Sequence, residues 1–88
     1  MSVVVRMSPI LRAFTDNTSM AEVRGATVRE CLDNLAAKFP RLKGYIYDKN
    51  GNPMLIILLN GQAVTGNKLD TKVSGSDEIS VFIPVDGG

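Results

Sequence analysis

One stretch of this 88-residue chain reads unambiguously as a helix, and it dictates what the rest must be. Thr27-Val28-Arg29-Glu30 matches the capping box, in which the threonine side chain accepts from the backbone N–H of Glu30 and the glutamate reaches back to the N–H of Thr27. Behind it Val28, Cys31, Leu32, Leu35 and Phe39 recur at intervals of three and four, which places them on one stripe with Arg29, Asp33 and Asn34 facing away. Pro40 ends the helix near Phe39, because a residue before proline is pushed out of the helical region. A single amphipathic helix cannot cover its own stripe. The other apolar runs must therefore supply a sheet for it to pack on.

Those runs are easily placed. Ser2 to Met7 is short and β-branched, an opening strand that Ser8-Pro9 interrupts. Ile10 to Phe14 leads to the polar turn Thr15-Asp16-Asn17-Thr18, and a second strand from Met20 to Arg24 pairs back on the first as a hairpin, closed by Gly25-Ala26. Tyr45-Ile46-Tyr47 reads as a short strand, with both tyrosines packed over the helix end. The turn Asp48 to Pro53 follows it. Met54 to Leu59 is apolar without alternation, which suits a central strand covered on both faces. Asn60-Gly61 signals a hairpin with positive φ at both turn residues. Leu69 and Val73 anchor the polar stretch from Gly66 to Ser76, Asp77-Glu78 is a solvated turn, and Ile79 to Val85 forms the last strand. The order predicts one α+β domain over residues 1–88, a mixed sheet with one main amphipathic helix on one face.

At this length the chain buries roughly 60–70% of its unfolded surface, enough for one core. Ten Lys and Arg against nine Asp and Glu leave a net charge of +1, which is no footprint for nucleic acid, and Arg41, Lys43 and Lys49 read as solvated loop charges. The longest apolar run falls far short of the ~20 residues that span a bilayer, so no membrane association is expected. Arg6 interrupts what would have to be the apolar segment of a leader peptide. Cys31 is the single cysteine and lies on the buried stripe, so it reads as a core thiol in a chain with no internal disulfide. These features suit a cytoplasmic protein. There is no histidine to serve as general base, no phosphate-binding glycine loop, and no Cys/His spacing for a metal site. The chain reads as a cosubstrate rather than an enzyme, with no bound cofactor.

What it does carry is Gly87-Gly88, directly after the apolar run Ile79 to Val85 and Asp86. Glycine has no Cβ, so a diglycine tail passes a channel that excludes other residue pairs. Its terminal carboxylate is then the group delivered, and the tail itself is the expected functional site.

The element order, the Thr-Val-x-x-x-Leu helix start at Thr27, the strand ending Leu59-Asn60-Gly61 and the closing segment Asp77 to Gly88 resemble the ThiS/MoaD family of β-grasp, ubiquitin-like sulfur carriers. The resemblance spans nearly the whole chain. Ser8-Pro9-Ile10-Leu11-Arg12 resembles the corresponding loop of CysO-like carriers, which serve cysteine synthesis, whereas the tail with Phe82 is equally at home in the small subunit of molybdopterin synthase. The resemblance implies that a partner like the ubiquitin-activating enzymes adenylates Gly88 with ATP and Mg²⁺, that sulfur displaces AMP to leave a thiocarboxylate, and that a synthase accepts the sulfur. Gly87 is then needed for channel entry. The same activation also serves a ubiquitin-like modifier joined to lysines through Gly88, and that class stays open, as does a plain interaction domain. Phe82 is either core or part of a partner-docking surface, on a face that Met7 is expected to share.

Overall fold

Val3, Val5 and Met7 occupy alternate positions of β1 (Ser2–Met7) and are all buried, while Ser2 and Arg6 face solvent. That two-residue period is the signature of a strand with one covered face. In the computed structural model, which describes residues 2–84, β1 pairs antiparallel with β2 (Met20–Arg24) from Ser2↔Arg24 to Arg6↔Met20. On its other side β1 runs parallel to β5 (Glu78–Phe82), with Met7 opposite Val81. β5 in turn pairs antiparallel with β3 (Ile56–Leu59), and β3 with β4 (Gln62–Ala63). The order is β2-β1-β5-β3-β4, a mixed sheet with the first and last described strands adjacent at its centre.

Helix α1 (Val28–Lys38) closes one face of this sheet. Val28, Cys31, Leu32, Leu35 and Ala36 are buried against Val3, Val5, Val23, Ile57, Ile79 and Val81, and Leu11, Leu42, Ile46 and Leu69 from the connections seal the rim of the same core. This is the β-grasp arrangement expected from the sequence.

The N-terminus of α1 is tied down more thoroughly than its capping box requires. Glu30 N–H donates to the Thr27 hydroxyl at 3.2 Å, as expected, but the Glu30 carboxylate accepts from Ala26 N–H at 2.8 Å, one residue further back than Thr27. Val28 N–H and Arg29 N–H donate to the carbonyls of Thr71 and Leu69, at 3.0 and 2.8 Å. These two donors lie among the four that an isolated helix leaves without partners. A distant loop thus completes the helix end, and Leu69 is the anchor that holds it there. Gly25 is required here by space. A Cβ at that position would stand 2.7 Å from the Cys31 sulfur and 2.8 Å from its backbone nitrogen.

The structure departs from the expected elements at several places. Tyr45-Ile46-Tyr47 forms no strand. Tyr47 makes only an isolated bridge to Pro53, because the Asp48 carboxylate folds the intervening loop on itself by accepting from Asn50 N–H and Asn52 N–H at 2.8 and 3.0 Å. Tyr47 does pack on α1, its hydroxyl donating to Asp33 at 3.0 Å, and burial followed by that bond pushes its ionisation up to about 12. Tyr45 instead packs against Phe14, with ring centroids 4.7 Å apart and the ring planes tilted by 48°. The strand expected from Met54 begins at Ile56 and is covered on one face only, with Met54 and Ile56 exposed. One helix covers one face, and no second layer in the described residues covers the other. The Asn60-Gly61 turn is as expected, with φ of +50° and +85°. β5 ends at Phe82, two residues before Pro84, whose missing N–H cannot extend a ladder.

Candidate functional site

Parity along β5 sorts its residues. Ile79 and Val81 point into the core, while Glu78, Ser80 and Phe82 point to the open face of the sheet. Register then assembles a surface around Phe82. Its cross-strand partner is Ile56, Ser80 stands between Leu58 and Arg6, and Arg6 is opposite Met20. Phe82 is 37% exposed and Ile56 45% exposed, so two large apolar side chains sit side by side in water. Antiparallel neighbours of this kind approach within about 5 Å at Cβ and form one continuous contact surface. An aromatic and an aliphatic anchor together are what protein interfaces favour at their centres.

Polar residues frame the apolar pair. Arg6 Nε donates to the Glu78 carboxylate at 2.7 Å, diagonally across β1 and β5, with both side chains about half exposed. At such exposure the ion pair contributes little to stability and serves mainly to fix charge positions on the open face. Beyond Phe82, the chain passes Ile83, which packs against the core rim, and Pro84.

Met7 does not present its side chain on this open face, and it borders the region only in the lining of the pocket beside Phe82. It is 2% exposed and sits in register with Val81, on the buried face, so the outward residue of β1 nearest Phe82 is Arg6. One step of parity separates the two assignments. Gly87 and Gly88, the residues expected to carry the chemistry, lie outside the described residues.

The entry to β5 is firmly built. Asn60, at the hairpin turn, donates through Nδ2 to the Asp77 carboxylate at 2.9 Å and accepts from Glu78 N–H at 2.9 Å, while Ser74 N–H donates to Asp77 at 2.8 Å. Asp77 was read from sequence as solvated. It is half-buried, and these donors, Asn60 first and then Ser74, hold its ionisation below the usual value of 3.8. A carboxyl group whose folded pKa lies below its unfolded one adds stability above the unfolded value and loses it as pH falls through the folded value. Asp77→Asn should therefore melt below the wild type at neutral pH, and the two curves should converge below about pH 4. Melting temperatures of both proteins across that range check this, and a constant gap would mean that Asp77 acts through shape alone.

Two members of the site escaped the sequence reading. Ile56 is hidden by the six-residue apolar run around it, because an unbroken run pairs residues by face without saying which face is outward. The other is Arg12, which together with Ser8, Ser19, Ser80 and Phe82 lines a pocket of about 290 Å³ at the end of the sheet. No sequence signal brings those residues together, because the pairing of β1 with β5 creates the pocket. Among the described residues no helix is long and apolar enough to cross a membrane.

The chain is similar to several known proteins. The ThiS family matches residues 10–88. The chain is similar to the small archaeal modifier protein 1 of Methanosarcina acetivorans, at 30% identity over 99% of this chain and 96% of that one, with a TM-score of 0.81. It is also similar to SAMP1 of Haloferax volcanii, at 26% identity over 100% of both chains and a TM-score of 0.85. It shares its fold with a chain of the BexX/CysO complex of Amycolatopsis orientalis, at 24% identity over 98% and 99% of the two chains and a TM-score of 0.83. No match was found among curated proteins.

Proposed function

The chain belongs to the ThiS family, and from that premise we propose that it is a sulfur carrier whose reacting group is the carboxyl of Gly88. The single observation that carries this reading is the family match, which takes in the helix and every strand after β1 and runs on to Gly88 itself. The geometry is consistent with it. An apolar, exposed Phe82–Ile56 pair stands where β5 hands over to the segment that leads to Gly87 and Gly88. A partner that grips this pair holds the chain a few residues from its end.

A carboxylate does not react with nucleophiles at neutral pH and must first be activated. One oxygen of the Gly88 carboxylate attacks the α-phosphorus of ATP, pyrophosphate leaves, and an acyl-adenylate forms. Sulfide then attacks the carbonyl carbon, the C–O bond to AMP breaks, and a thiocarboxylate remains on Gly88. The nucleotide and Mg²⁺ bind to the adenylating partner, and a sulfur-accepting synthase takes the product. This division of labour explains why a chain without histidine needs no general base of its own. Gly87 lets the backbone enter the partner's channel.

A second reading is favoured by the names of the two most identical structures given above, both small archaeal modifier proteins. In it the same adenylate is attacked by a lysine amine of another protein, giving an isopeptide bond at Gly88.

Intact mass spectrometry of the protein from its native host separates the two. A species in which one oxygen is exchanged for sulfur, mapped to Gly88, is the expected result. Gly88-linked lysine conjugates without it would put the modifier reading first. The absence of any adenylate, thiocarboxylate or conjugate after incubation with ATP, sulfide and the purified activating enzyme would remove both.

A further inference from the structure

The pocket beside Phe82 contains an unresolved polar arrangement. Ser8 Oγ and Arg12 Nε are both buried there and have no hydrogen-bond partner among the described residues. A buried donor left without a partner costs about 1–3 kcal/mol, and native structures hold few such groups. Ser8 itself is fixed, because its N–H donates to Val81 O at 3.0 Å and its carbonyl accepts from Arg12 N–H at 3.2 Å. Both residues are therefore held at the end of the β1–β5 ladder by backbone bonds, and both line the pocket.

Charge narrows what could complete the site. Of the two arginines that line the pocket, Arg6 is neutralised by Glu78 at 2.7 Å, whereas Arg12 has no acidic partner among the described residues. One uncompensated positive charge remains, with the hydroxyls of Ser8, Ser19 and Ser80 around it. A guanidinium fork matches a carboxylate in geometry as well as in charge. A dianionic phosphate would bring excess negative charge close to Glu78. The pocket is also continuous with the apolar surface, because Phe82 belongs to both.

We propose that this pocket receives an aspartate or glutamate side chain of the protein that docks on Phe82 and Ile56. The carboxylate accepts from the Arg12 guanidinium and the Ser8 hydroxyl while an apolar group of the same partner covers Phe82. Arg12 is then a specificity determinant of the docking surface. The inference rests on the carrier reading only for who the partner is, since the carboxylate site itself is a property of this chain.

The test has two arms. In the first, the Arg12 Nε–Hε signal and the Ser8 and Ser80 amides of the isotopically labelled protein are followed by NMR as sodium acetate replaces sodium chloride at constant ionic strength. Saturable shifts centred on these groups are expected, and shifts no larger than chloride produces, or spread evenly over all arginines, would overturn the proposal. Asp86→Asn serves as a control. If that change alone in the free protein moves the Arg12 signal as far as acetate does, the occupant is the chain's own segment and the partner proposal fails.

In the second arm, pyrophosphate exchange is measured with the purified activating enzyme. Arg12→Gln should raise the KM for the carrier about tenfold, the loss of one charge-assisted bond, with kcat unchanged and the protein still folded. Arg12→Lys should recover part of it, since it keeps the charge without the fork. An unchanged KM would overturn the proposal. If the wild type supports no exchange at all while acetate still binds, the carrier reading fails and the carboxylate site stands.

Discussion

Replacing Leu35 with alanine should destabilise the protein by about 3 kcal/mol, within the range of 2–5 kcal/mol seen for truncating a fully buried leucine. Leu35 is entirely buried, on the stripe of α1 that faces the sheet. The size of the loss depends on whether the surroundings can collapse into the space left behind, and here they are constrained. The Thr27 cap and the carbonyls of Leu69 and Thr71 hold the first turn of α1, and Phe39 N–H donates to Leu35 O at its last turn. A helix whose first turn is tied to a distant loop slides inward less readily, so much of the cavity persists. For a domain of this size, about 3 kcal/mol corresponds to a melting temperature lower by about 12–24 °C. Against a total stability of about 5–15 kcal/mol this is a large fraction, and it should be plain in thermal or urea unfolding. An unchanged midpoint would mean that the helix presents a different face to the sheet.

That face was legible in the sequence because everything that specifies it is local. Thr27, Glu30 and the three-and-four spacing from Val28 to Phe39 lie within one helix, and the Asn60-Gly61 turn carries its own conformational requirement in two residues. The β1–β2 hairpin was legible for the same reason. What the sequence withheld depends on contacts between distant segments. The parallel pairing of β1 with β5 joins the two ends of the described chain, and no local pattern announces it. Without that register, Met7 and Phe82 could be placed on one face. With it, Met7 stands opposite Val81 in the core and Phe82 faces outward beside Ile56.

The run Met54 to Leu59 misled for a physical reason. Unbroken apolar sequence usually marks a strand with two covered faces. Here the outward residues Ile56 and Leu58 are apolar although no layer among the described residues covers them. A surface that keeps apolar side chains where alternation would allow polar ones marks an interaction site. The departure from the expected pattern is therefore the feature that points to docking. Asp77 illustrates the same limit on a smaller scale, since its carboxylate reads as solvated until the Asn60 and Ser74 donors that close around it are seen.

Deleting Gly88 should have the opposite profile to Leu35→Ala: activation lost and the fold kept. The described core is assembled from residues between Val3 and Val81, so removing the final residue withdraws none of the buried side chains that hold it together. A change outside such features shifts stability by no more than about 0.5 kcal/mol, so the melting temperature should stay within about 4 °C of the wild type. The effect on chemistry follows from reach. If the partner grips Phe82 and Ile56, the distance from that grip to the reacting carboxyl is set by the number of residues between them. One residue fewer leaves an extended chain short by about 3.5 Å. Misplacing a reacting group by even about 1 Å can cost on the order of a hundredfold in rate. Pyrophosphate exchange with the activating enzyme should therefore fall at least about a hundredfold, even though the truncated chain still ends in a glycine carboxylate. Gly88→Ala keeps the length and alters only the width, so comparing the two variants separates reach from channel fit. Exchange at the wild-type rate by the truncated protein would mean that the reacting group is not held at a fixed distance from the Phe82 surface, and the docking geometry would have to be abandoned.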